Sequence, residues 1–72
     1  MRVLLESGVL ASALYFPHEQ VLDLEFRSGA VYRYFGFSAE QYGEFLAADS
    51  KGSYFNRYIR DHFACQRVRD AA

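Results

Sequence analysis

The sequence predicts an α+β domain, an antiparallel three-stranded meander packed on one face by two short C-terminal helices. Three observations carry that expectation. Across residues 21–27 apolar and polar residues alternate, with Leu22, Leu24 and Phe26 on one face and Asp23, Glu25 and Arg27 on the other. After Ser38 the pattern changes to a helical period, opened by a capping signature. The chain has 72 residues, room for a single core given that domains run to about 50–250 residues, so strands and helices must share it.

Residues 9–16 are apolar and β-compatible, and they end at Pro17, which fixes φ and brings no N–H donor to a ladder. This is the first strand. Residues 21–27 form the second and residues 30–37 the third, joined through Ser28 and Gly29. A two-residue loop would set Arg33 opposite Leu24 and place a guanidinium on the core face, which is costly. A three-residue loop, with Gly29 in the left-handed position of a turn plus bulge, pairs Phe26 with Ala30, Leu24 with Tyr32 and Leu22 with Tyr34. It also sets Asp23 against Arg33 on the outer side, and the second register is the one expected.

Ser38-Ala39-Glu40-Gln41 is a capping box, with Phe37 and Tyr42 at staple positions and Tyr42, Phe45 and Leu46 as the apolar stripe. This helix should end near Asp49. Ser53 is then a second N-cap before residues 54–62, where Phe55, Tyr58, Ile59 and His62 cluster on a helical wheel and Asn56, Arg57 and Arg60 point away. Residues 63–68 add either a short fourth strand or an extended segment, and the last few residues fray.

A chain this short buries only about 60% of the surface its unfolded form exposes, and one cysteine, Cys65, cannot close an internal disulfide. Its seven Phe and six Tyr must therefore build the core or form a binding surface. The net charge of −1 hides an asymmetry. Residues 1–50 carry three basic and seven acidic residues, whereas residues 51–72 carry five basic and two acidic, a division that points to an anionic partner. Glu6, Ser7 and Gly8 interrupt the apolar run after Arg2 too early for a leader, and no stretch reaches the roughly 18 apolar residues of a membrane span. A cytoplasmic protein with no membrane partner is expected, and the unpaired Cys65 agrees with a reducing compartment.

The ordered string from Leu22 to Phe37, then Gln41-Tyr42 and Phe45-Leu46, then Ser50-Lys51-Gly52-Ser53-Tyr54-Phe55-Asn56-Arg57-Tyr58-Ile59-Arg60 resembles the KTSC family, a domain named for its occurrence at the C-terminus of some lysyl-tRNA synthetases. Tyr32-Arg33-Tyr34 corresponds to its YxY motif and residues 52–56 to its GxYFN segment. The resemblance covers roughly residues 6–68 and treats residues 1–72 as a single domain. It implies RNA binding as the family's proposed role, and Cys65 stands where the family often carries an aromatic.

The expected function is a non-catalytic module that binds RNA or single-stranded nucleic acid, with protein interaction or self-association through an edge strand as the alternative. The expected contacts are Lys51, Arg57, Arg60 and Arg67 to phosphates, Gly52 and Ser53 as backbone donors at the second helix, and Asn56 to a base or sugar. An ordinary capped turn with an Arg57–Asp61 pair accounts for the same residues without a ligand. Tyr32 and Tyr34 are either core or a stacking platform. His62 and Cys65 are three apart, but zinc needs three or four protein ligands and only His18 remains, so no metal, cofactor or catalysis is expected. Glu40 and Glu44 read as a solvated face.

Overall fold

The computed structural model describes residues 1–71. Five strands, β1 (Arg2–Leu4), β2 (Leu10–Phe16), β3 (Val21–Phe26), β4 (Val31–Phe35) and β5 (Cys65–Arg69), form one sheet in the order β1-β2-β3-β4-β5. Every neighbouring pair is antiparallel. Between β4 and β5 the chain crosses one face as α1 (Ala39–Ala47) and α2 (Lys51–Tyr54), and α2 continues as a π-helical turn over Phe55–Ile59. No helix among the described residues is long and apolar enough to cross a membrane.

The central register is the expected one. Leu22 lies opposite Tyr34, Leu24 opposite Tyr32 and Asp23 opposite Arg33. Gly29 adopts φ 98°, a conformation that costs a glycine little, and the Phe26 N–H donates to Ala30 O at 2.8 Å. On the open face the Arg33 guanidinium grips Asp23 with two bonds of 2.8 and 3.0 Å. On the other face Leu22, Leu24, Phe37, Phe45 and Ile59 are fully buried and Tyr34 is nearly so. Phe26 and Tyr32 pack against them from the margin.

The sheet has more strands than three plus an optional fourth. β1 was not expected as a strand, because only Val3 of its three residues faces inward and so short a run shows no alternation. β5 is a full strand although all five of its residues are exposed. It therefore carries none of the burial pattern that marks a strand in sequence.

The helices differ in detail. The Ser38 hydroxyl accepts from the Gln41 N–H at 3.1 Å, as the capping box requires, but Tyr15 bridges the staple. Its ring stacks on Tyr42 at 4.6 Å and its hydroxyl donates to Phe37 O. Helix α1 ends at Ala47, and the second helix is capped by Ser50, whose hydroxyl accepts from the Ser53 N–H at 3.2 Å. Ser53 is thus inside the first turn and not its cap. The Arg60 N–H bonds Phe55 O, the i→i+5 bond of a π turn, and the chain then reverses at Asp61, φ 64°. This wider turn buries Phe55 and Ile59 but leaves Tyr58 47% exposed, and His62 lies beyond the helix in an exposed turn. Neither belongs to the buried stripe.

Candidate functional site

Where the π turn passes over the β4–β5 edge it leaves an open groove of about 400 Å³. Phe26 and Phe55, edge to face at 5.3 Å, line it together with Tyr32 and Tyr34. Asn56, Arg60 and Asp61 approach from the helical side and Cys65 from β5. Residues 56 and 60 reach this side together because the π turn ends at Ile59 and sends Arg60 out of the helix.

The second wall depends on strand pairing. Tyr34 lies opposite Cys65 and Tyr32 opposite Arg67, so those side chains share a face. The Arg67 guanidinium lies over the Tyr32 ring, 5.7 Å from its centroid, and donates to Asp70 at 3.0 Å. Tyr34 is 4% exposed. Burial pushes its phenol well above the usual range, Cys65, Tyr32 and Asp61 push the same way, and the Arg60 charge opposes them. The phenol therefore stays protonated at neutral pH.

Of the seven residues expected as contacts, three gather at the groove, three stand at the far end of the helix and Arg57 lies apart from both. Asn56 and Arg60 line the groove and Arg67 joins it through Tyr32. Lys51, Gly52 and Ser53 stand at the far end of the helix. Lys51 Nζ donates to Ala48 O at 2.8 Å and lines a separate cleft with Glu6 and Asp49. Gly52 faces Ser7, and the Ser53 N–H is already taken by Ser50. Arg57 is exposed, with its guanidinium 6.0 Å from the Tyr58 ring centroid. The Arg57–Asp61 pair does not form, because the helix has ended before Asp61.

Tyr34 is core by its ring, and Tyr32 is half-buried. The contributions of Cys65 and Asp61 were not foreseen. Only the β4–β5 register reveals them, and β5 lacks the alternation that would have announced it. Among the described residues no three His, Cys, Asp or Glu side chains are grouped as metal ligands. On the open face Phe16, Val21 and Phe35 form an apolar row, with Arg33 over the Phe16 ring at 6.0 Å.

The family model described as the KTSC domain matches residues 6–63. An uncharacterised protein of Stutzerimonas stutzeri is 41% identical over 68 residues, spanning 93% of this chain and 96% of that one. A lysine–tRNA ligase of Nostoc sp. is 35% identical over 63 residues, which are 88% of this chain but 11% of the ligase. The crystal structure of a KTSC domain protein from Yersinia pestis superposes with a TM-score of 0.92 at 29% identity, covering 96% of this chain and 97% of that one.

Proposed function

The chain belongs to the KTSC domain family, and from that premise we propose that it is a non-catalytic module that binds RNA or single-stranded nucleic acid in the cytoplasm, using the groove between the π turn and β5. One observation carries the reading. Of the arginines, only Arg57 and Arg60 make no hydrogen bond to another described residue, whereas Arg2, Arg27, Arg33, Arg67 and Arg69 are all engaged. Two uncommitted cations, Arg60 in the wall of an aromatic groove and Arg57 exposed on the same turn, supply what a single strand needs, phosphate neutralisation next to rings that take bases. The related segment of a lysine–tRNA ligase makes RNA the favoured ligand.

The test is a titration with single-stranded RNA, single-stranded DNA and duplex at two salt concentrations, followed by amide shift mapping. Binding of the single strands with shifts around residues 56–60 and 65–67 is expected. Equal preference for duplex, or shifts confined to the open face of the sheet, would reject the reading.

The second reading is a protein-interaction module, favoured by the free edge of β5. Arg67 and Arg69 on that edge are the kind of charge that discourages strand addition. A dimer in solution with β5 amides protected would support it over the first.

A further inference from the structure

The Tyr34 hydroxyl makes no hydrogen bond to any described residue, although the side chain is almost wholly buried and its tip reaches the groove. No enclosed side-chain polar atom among the described residues lacks a partner: the Ser12 hydroxyl bonds Glu25 at 2.8 Å and the Tyr15 hydroxyl bonds Phe37 O at 2.6 Å, so the unbonded Tyr34 hydroxyl is the part of that side chain that opens onto the groove. The hydroxyl itself is not enclosed, and solvent or an occupant of the groove supplies its partner. Asn56 on the rim likewise makes no side-chain bond to a described residue, and its amide offers both a donor and an acceptor.

We propose that the groove receives one unpaired nucleotide, with the Tyr34 hydroxyl and the Asn56 amide reading the edge of its base and Arg60 holding its phosphate. The ligand class rests on the nucleic-acid reading above. A volume of about 400 Å³ lies in the range of small-molecule pockets and has room for a single nucleotide. Recognition of RNA bases splayed out from a strand takes this form, with aromatic walls and hydrogen bonds to the base edge. The groove has both: Phe26, Phe55 and Tyr32 as walls and two polar readers.

Asp61 at the same mouth repels phosphate but accepts from an exocyclic amino group. It therefore orients the base toward Asp61 and the phosphate toward Arg60 and Arg67. Adenine, cytosine and guanine carry that amino group and uracil does not, so uracil is the disfavoured base.

The experiment titrates adenosine, cytidine, guanosine and uridine 5′-monophosphates, and short single-stranded RNA, into the wild type, Tyr34→Phe and Asn56→Ala, read by amide shifts and thermal unfolding. The expected result is shifts at Asn56, Arg60 and Cys65, weakest for uridine monophosphate. Affinity should fall about fivefold in each variant, the value of one neutral hydrogen bond, with the salt dependence unchanged. Asn56 is exposed, so its variant keeps the test intact if Tyr34→Phe fails to fold. Wild-type affinity in both variants, no monophosphate binding, or shifts away from the groove would overturn the proposal. RNA that binds while monophosphates leave the groove untouched would remove this inference and spare the function. Monophosphates that fill the groove without any affinity for RNA strands would keep the nucleotide site and remove the strand-binding function.

Discussion

On the open face of the sheet every arginine is held. Arg33 is clamped to Asp23, and Arg2 and Arg69 share Glu25, whose Oε1 also accepts from the Ser12 hydroxyl at 2.8 Å. On the helical side Arg57 and Arg60 touch no carboxylate. The same residue type is thus used in two ways, as a brace where strands lie side by side and as an uncommitted charge where the helix ends early. Local charge count does not separate the two uses, since Asp61 is as close in sequence to Arg57 as a helical ion pair needs. The path of the backbone does, and function follows the arginines whose partners were turned away.

Four experiments break or sharpen that contrast, in order of decreasing effect. Phe37→Ala removes a fully buried ring between Tyr15 and Phe63 and should cost about 3–5 kcal/mol, enough to unfold much of a small domain. Urea denaturation measures it, and a loss below about 1 kcal/mol would show that the core is not centred there. Arg57→Ala with Arg60→Ala should weaken single-strand binding about tenfold per residue, as charge-assisted bonds do. It should also flatten the salt slope by about 0.7 per arginine and move stability by no more than ~0.5 kcal/mol. A stability loss with intact binding would reverse the contrast.

Ser50→Ala should cost about 1 kcal/mol as the loss of an N-cap, whereas Ser53→Ala should cost a few tenths. Equal losses would contradict the capping at Ser50. Glu25 gives the smallest effect and a sign. Hydrogen bonds from Ser12 and Arg69, and the charges of Arg69 and Arg2, hold its carboxyl below the usual range in the folded state. Its contribution is therefore complete above the ordinary glutamate pKa and disappears as pH falls through the lowered folded value. The urea midpoint of the wild type should drop on acidification below about pH 5, and Glu25→Gln should drop less steeply. Parallel curves would remove Glu25 as the brace of the open face.

How far the sequence was legible depended on burial. The β3–β4 register could be read because Gly29 and the alternation of Leu22, Leu24 and Phe26 admitted one inexpensive pairing. β1 could not, and β5 was only half read, as either a strand or an extended segment over residues 63–68, because an edge strand that buries little leaves almost no periodic trace. The π turn has no residue signature either: Phe55 and Ile59 are spaced for an α-helix, and only the Arg60 to Phe55 bond reveals the wider turn. The groove was half legible. Asn56, Arg60 and Arg67 stood out as polar residues on a basic stretch, while the role of Tyr34 required the strand that both helices separate from it.

That β5 buries no side chain also bears on how the domain opens. Its attachment rests on the ladder to β4 and a few exposed arginine contacts, so peeling it away exposes little apolar surface and costs far less than global unfolding. Amide protons of β5 should exchange by this local route, while those shared by β2 and β3 wait for the whole domain to unfold. The wall that carries Cys65 and Arg67 is therefore a hinged one, able to leave and return while the core keeps its shape.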